Sequence, residues 1–422
     1  MRRNKLKRFS VAIVLLLVSS WGWTAEPQFR GFISQSVVFS DDNPLFDDDT
    51  GVNFNLREIG LNTSWQITDR FRLAGQLMSR KAWEIDDGDP TVDFLLVDYK
   101  YLVSASAMVG VRLGRTKLPY GVYNTTRDVP HARPGIFVPQ SVYFESMRNV
   151  LLATDGGHLY FNFNHALADI NVDLSYGKIG LDGSSLEYLI FQRELPGDFD
   201  SLESQIFKVE FLPSGALRDM TLALSLVDAS SDYDDAPNFT PAEQFAGGVA
   251  LASDPTLFTS YITQMEISAL LKLLSLQYSM ADWIITAEYL NADIAINNAE
   301  VLHIPTVLGD SRSDSQLEGY YGQVEWLLSS QISLYGRYEE LYFNDQDRDG
   351  EDYQRTVGGN PVTQYQKALS LGARWYFTPD WSVTGEFSSN RGAAFINGSE
   401  EVDYSALKKR WHAFILQMSY HF

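Results

Sequence analysis

The 422-residue chain contains no cysteine, which excludes disulfides, zinc–thiolate centres and cysteine nucleophiles. Beyond its N-terminal segment no apolar run approaches the roughly 18 residues of a membrane-spanning helix. Enzyme signatures are missing as well. The six histidines, at positions 131, 158, 165, 303, 412 and 421, form no HExxH pair, and neither a GxSxG elbow nor a glycine-rich phosphate loop occurs. Charged residues make up only 21% of the chain, and acids outnumber bases for a net charge of −21, so nucleic acid is excluded as a partner on electrostatic grounds.

What is abundant is aromatic: 25 Phe and 22 Tyr bring the aromatic share to 13%, at a mean hydropathy of −0.16. Such a mixture suits strands with one oily and one polar face. The N-terminus carries Arg2, Arg3, Lys5, Lys7 and Arg8 ahead of an apolar run from Phe9 to Val18, the layout of a secretory signal peptide. The reading is a signal over residues 1–25, cut after Ala25, with Trp23 at the minus-three position. Removing five cations and no acids takes the net charge from −21 to −26.

From Phe29 onward apolar and polar residues alternate. Ile59, Leu61, Thr63, Trp65 and Ile67 share one face against Glu58, Gly60, Asn62, Ser64 and Gln66; Leu369, Leu371, Ala373 and Trp375 oppose Ser370, Gly372 and Arg374. Segments of about ten residues with this dyad period match tilted strands crossing an outer membrane. Tight turns at 68–69, 104–106, 165–168, 213–218, 281–282, 329–331 and 378–380 alternate with long polar loops at 41–52, 84–91, 117–149, 181–203, 229–258, 296–316, 344–364 and 391–407. Seven turns and eight loops predict an all-β fold: a 16-stranded antiparallel transmembrane β-barrel over residues 26–422 in the outer membrane of a Gram-negative bacterium. The last segment agrees, since His412, Phe414, Leu416, Met418, Tyr420 and Phe422 lie on one face and end the chain on an aromatic residue. That ending resembles the signal by which barrels engage their insertion machinery.

The segment that breaks the alternation is Gly114 to Arg148, rich in arginine, proline and aromatics. A connection this long needs a functional reason, and the reading is that the third loop, about 117–149, folds inward and narrows a pore. Its opening words, Gly114, Arg115, Thr116, Lys117, Leu118, Pro119, Tyr120 and Gly121, followed by the arginine- and proline-rich loop, resemble the fifth strand and third loop of trimeric bacterial porins. The family that the barrel plan most resembles is that of the phosphate-selective porins O and P with their dicarboxylate-passing relatives. The resemblance implies a homotrimer, a constriction loop in the lumen and passive diffusion of small hydrophilic solutes, with a preference for anions such as phosphate or carboxylate. The loops here carry no dense series of lysines.

Strand parity puts Arg72, Arg80, Arg112, Arg337 and Arg374 on the lumen face, and the loop adds Arg127, His131, Arg133 and Arg148; Glu58, Asp98, Glu288, Glu325, Glu339 and Glu386 share that face. Opposed charges across a narrow waist select among ions. The alternative is that the arginines tie the loop to the wall through ion pairs. Pro119, Pro130, Pro134 and Pro139 stiffen the loop, and Tyr120, Tyr123, Phe137, Tyr143 and Phe144 pack it onto the wall. Acids crowd the outer loops, Asp41, Asp42 and Asp47 to Asp49 among them, where divalent cations would bridge them to lipopolysaccharide phosphates. Asp345, Asp347 and Asp349 before Gly350 match the first half of a calcium loop, although Thr356 stands where the closing glutamate belongs. No other cofactor is expected. Two rivals to a pore remain open at this point, an outer-membrane barrel hydrolase and a non-conducting adhesion or structural barrel.

Overall fold

The computed structural model describes residues 26–83, 85–181, 186–187, 195–199, 201–234, 237–305, 316–396 and 402–422. The expected signal peptide, 1–25, lies outside them. Sixteen long strands follow in order: β1 Gln28–Ser40, β2 Leu56–Gln66, β3 Phe71–Ala82, β4 Asp87–Ser104, β5 Ala107–Lys117, β6 Ala153–Asn164, β7 Ala168–Gly180 and β8 Ser201–Pro213, then β9 Met220–Asp234, β10 Ile262–Met280, β11 Trp283–Val301, β12 Leu317–Leu327, β13 Ile332–Tyr342, β14 Tyr365–Tyr376, β15 Trp381–Gly392 and β16 Arg410–His421. Each pairs antiparallel with its neighbour in sequence. The ring closes where β1 meets β16 in an unbroken register from Phe32 opposite His421 to Ser40 opposite Ala413. Closure leaves no unpaired edge, the condition for a sheet to sit in lipid.

Burial alternates with the sequence, but inside out. On β2 Leu61 is 47% exposed while Glu58 is 1% exposed, and on β14 Leu371 is 54% exposed while Ser370 is 2% exposed. The oily residues therefore face outward as a lipid belt, and the polar residues face the lumen. Trp283 and Trp326 stack in parallel at 5.2 Å on the tight-turn side of that belt, joined along the same rim by Trp375 and Trp381. Indoles at this level are the interfacial girdle of a transmembrane barrel.

The tight turns fall where the alternation predicts them. The loops on the other rim are shorter than expected in three places, because paired backbone continues above the belt. β4 begins at Asp87 inside the expected 84–91 loop, β9 runs on to Asp234, and β11 continues to Val301 opposite a 19-residue β10. Polar outward positions such as Ser268 and Asn297, which bond each other at 3.0 Å, erase the hydrophobic alternation there without breaking the ladder. β4 also bulges: Gln76 pairs with Phe94 and Leu77 with Val92, leaving Asp93 as the extra residue. The bulge turns both Asp93 and Phe94 inward.

Candidate functional site

Residues 118–152 connect β5 to β6 from inside the barrel. The segment leaves the wall after Lys117, three residues beyond Gly114, which sits at φ +120° where a side chain would collide with the Leu95 carbonyl. Its course consists of short helical turns, Pro130–Ala132, Gln140–Tyr143, Glu145–Met147 and Arg148–Leu152. Prolines set them up, Pro130 at the first position of one and Pro139 just before another.

Lumen-facing side chains hold this loop. Glu288 on β11 accepts the backbone N–H of Val122 at 3.0 Å and the hydroxyls of Tyr143, Tyr321 and Ser275 at 2.5, 2.7 and 2.5 Å. Glu339 on β13 accepts the Ser141 N–H at 2.9 Å, and Glu386 on β15 accepts that of Ile136 at 3.0 Å. Arg337 donates to the Phe137 carbonyl at 3.0 Å, and Arg374 donates to the carbonyls of Pro130, Gly135 and His131 at 3.1, 3.3 and 3.3 Å. Lys208 on β8 reaches the Gly121 carbonyl at 2.7 Å. Loop backbone that would otherwise need water in a confined space is thereby satisfied by charged groups. Leu118, Tyr120, Val142, Tyr143 and Leu151 pack with wall residues Leu273, Leu290 and Leu341 into an apolar cluster beneath it.

The loop's own arginines do not face an open path. Arg127 is 1% exposed, Arg133 4% and Arg148 3%, and so are Arg80 at 4% and Glu58 at 1%. Arg133 grips Glu58 through both guanidinium nitrogens at 3.2 and 2.6 Å. Arg127 donates to the Tyr143 carbonyl at 2.8 Å and to Glu145 at 3.2 Å, while Arg80 pairs with Glu145 and Asp86. Arg148 donates to the Met78 sulfur at 3.4 Å. Burial works to raise the Glu145 carboxyl, but the guanidiniums of Arg80, Arg127, Arg148 and Arg133 outweigh it and bring it down to about 2. The expectation that Arg127, Arg133 and Arg148 line the ion path is thus corrected. Parity says which wall residues point inward, not which of them a loop then covers.

The opposite wall is uncovered. Between it and the loop lies a cavity of about 470 Å³ to which Arg72, Arg112, Lys117 and Lys208 contribute cations and Asp173 and Glu210 contribute carboxylates, with Pro119 and Thr125 on the loop side. Asp98, fully buried behind it, is bonded by Arg72 at 2.8 Å and by the Tyr160 hydroxyl at 2.7 Å, with Arg112 at 3.7 Å. Arg112 also lies over the Tyr160 ring at 4.4 Å. The side chains of Arg72 and Arg112 remain 32% and 29% exposed, so they present charge to the cavity while anchored at one end. His158 bonds Asp173 at 2.7 Å. Asp173, Lys208 and Glu210 were not singled out from the sequence, although the parity of β7 and β8 marks them as lumen residues. Asp93 carries no such mark, because a bulge is what turns it inward.

His131 belongs to neither group. It is half-buried and stacks on His421 of the last strand, ring centroids 4.2 Å apart. Burial, then His421, Arg374, Arg133 and Arg30, hold its imidazole down to about 4. The three loop acids expected to bind calcium do not converge. Asp347 accepts the N–H groups of Asp352 and Tyr353 at 3.1 and 2.8 Å, Asp345 that of Gln316 at 3.0 Å, and Asp349 that of Glu351 at 3.4 Å. Asp347 and Asp349 are spent on a local turn and Asp345 on the neighbouring connection at Gln316, and among the described residues no group of three or more His, Asp or Glu side chains could hold a metal ion.

No protein-family model matches the sequence, and no curated protein matches it. Solved structures do match in fold. OmpT, an outer membrane protein of Vibrio cholerae, is similar over 94% of this chain and 97% of its own at 11% identity and a TM-score of 0.53, and its trimer form over 94% and 99% at 12% identity and 0.53. The outer membrane channel DcaP of Acinetobacter baumannii is similar over 94% and 97% at 9% identity and 0.50. At such identities the likeness speaks to architecture alone. By that architecture, closed, even-stranded and belted for lipid, the chain is an outer-membrane barrel of a Gram-negative bacterium.

Proposed function

We propose that the protein is a porin: a passive channel for small hydrophilic solutes, running between the third loop and the wall formed by β2 to β8. The observation that carries this reading is the cavity itself, which borders the inner wall and is lined by four cations against two carboxylates. Charged side chains at a waist select by sign, so the path prefers anions, and the solutes it favours are small carboxylates or phosphate. This is also where a likeness to the phosphate-selective porins and their dicarboxylate-passing relatives would be expressed, through Arg72, Arg112, Lys117 and Lys208 rather than through the loop arginines. A homotrimer is the proposed assembly, in keeping with the trimer form of a protein sharing the fold. No catalytic role is assigned to the barrel.

Planar-bilayer recording tests the reading. Expected are stepwise openings in threes and a reversal potential in a potassium chloride gradient displaced toward chloride. Folded protein that never conducts would end the proposal, and a displacement toward potassium would end its anion-selective part.

A further inference from the structure

Around the loop-side rim, charges on the outer face pair across neighbouring strands. Arg115 meets Asp155 at 3.5 Å, Lys178 meets Glu203 at 3.0 Å, and Lys272 meets Asp293 at 2.7 Å. On β14 to β16 the pattern reverses. Lys367, Arg391 and Arg410 occupy one row, Lys367 directly opposite Arg391 and Arg391 directly opposite Arg410, and burial parity turns all three outward. Directly opposed like charges on adjacent strands destabilise a sheet.

The nearby acids are already engaged. Glu340 takes Lys367 at 3.2 Å together with the hydroxyls of Tyr320, Tyr338 and Tyr342. Asp41 bonds His412 at 2.8 Å, and Asp42 bonds Lys408 at 2.6 Å. Arg391 and Arg410 are exposed, and among the described residues neither has an ion-pair partner. Arg57 and Lys81 are opposed in the same way on β2 and β3, but there Lys81 also faces Asp87. Below the arginine row come Leu369, Ser389 and His412, and from the next row the surface is apolar; Leu369, Leu371, Phe387, Phe414 and Leu416 are each between 42% and 54% exposed.

We propose that Arg391 and Arg410 form a binding site on the outside of the barrel for a phosphate-bearing lipid of the outer leaflet. Its phosphoryl oxygens bridge the two guanidiniums, and its acyl chains lie along the Leu369–Leu416 strip beneath. Guanidinium forks match phosphate oxygens in charge and geometry, and the anion removes the like-charge repulsion within the row. A free inorganic anion would satisfy the arginines but leave the strip unused, so the occupant is an amphiphile. The site is separate from the lumen and does not depend on what the pore conducts.

The test uses the folded, full-length barrel, delipidated in detergent, with bound lipid counted by native mass spectrometry. The probes are bisphosphorylated lipid A, the same lipid A without its phosphates, and inorganic phosphate. Bisphosphorylated lipid A should bind, and Arg391→Gln with Arg410→Gln should weaken it about tenfold or more, from the loss of charge-assisted hydrogen bonds. Arg391→Lys with Arg410→Lys, which keeps the charge, should retain most of the binding and guards against a folding defect in the glutamine variant. Equal binding by the wild type and the glutamine variant would overturn the proposal, as would equally tight binding of phosphate-free lipid A. Full displacement of the lipid by millimolar inorganic phosphate would reduce the site to one for free anions and overturn the lipid assignment.

Discussion

The two halves of the lumen wall carry similar side chains and use them differently. On the covered half, Glu58, Arg80, Glu288, Arg337, Glu339, Arg374 and Glu386 spend their hydrogen bonds on the loop, on one another or on neighbouring wall groups, and none is more than 5% exposed. On the open half, Arg72 and Arg112 share one buried carboxylate and keep nearly a third of their surface free. The same residue types thus build an attachment on one side and a field on the other. What separates them is the number of polar partners within reach, not their chemistry.

The comparison breaks most visibly at Arg80. Replacing it with alanine strips a cation from Glu58, Asp86 and Glu145 at once; Arg133 still holds Glu58 and Arg127 still holds Glu145, so the cost falls at or below the roughly 3–5 kcal/mol of breaking a buried ion pair. The loop should detach, lowering the denaturant midpoint of the barrel and raising single-channel conductance; an unchanged midpoint and conductance would mean that the loop is held without this network. Next in size is the open wall. A unit charge about 4 Å from the path is worth about 1 kcal/mol in water, so Arg72→Ala with Arg112→Ala should cut the chloride-to-potassium permeability ratio several-fold. Arg133→Gln, on the covered side, should leave that ratio nearly where it was. If Arg133→Gln moves the reversal potential as far as the double variant does, the division of the wall is wrong.

A weaker effect is expected from pH. The His131 imidazole, on the loop, is held below its ordinary value by burial and by surrounding cations, down to about 4. The neutral ring's contribution to loop docking is therefore complete above the ordinary value near 6.5, and it is lost as the pH falls through about 4. Channels should become noisier over that interval, while His131→Phe, which keeps a ring against His421, should flatten the dependence. The smallest effect concerns the seventh loop. Asp347→Asn weakens the two N–H contacts to residues 352 and 353 and should cost about 1 kcal/mol, in the range of a helix cap. Millimolar calcium should leave thermal stability unaltered in both forms, and stabilisation of the wild type alone would restore a metal site there.

Most of the barrel was legible because lipid imposes a strict period. Each strand must turn an oily residue outward at every second position, and the turns at 68–69, 281–282 and 378–380 interrupt that period sharply. Legibility failed where the period lapses for physical reasons. Above the belt, β10 and β11 continue in a polar environment that no longer demands alternation, and the β4 bulge resets parity without any change in composition. The candidate site was half legible. Arg72, Arg112 and Asp98 follow from parity alone, whereas the burial of Arg127 and Arg133 depends on where a 35-residue loop, 118–152, comes to rest. That is a matter of long-range contacts such as Arg133 to Glu58, 75 positions apart.

The loop's fastenings also fix an order of events. Besides those on β8, β11 and β13, its anchors come from β2 and β3 near one end of the chain and from β14 and β15 near the other, through Glu58, Arg80, Arg374 and Glu386, with His421 of β16 against His131. These groups surround one space only after the last strand has zipped onto the first. With the β1–β16 seam open, Lys208, Glu288 and Glu339 still reach the loop, but the fastenings from the two ends of the chain do not yet face each other, so complete docking of the loop follows closure of the seam.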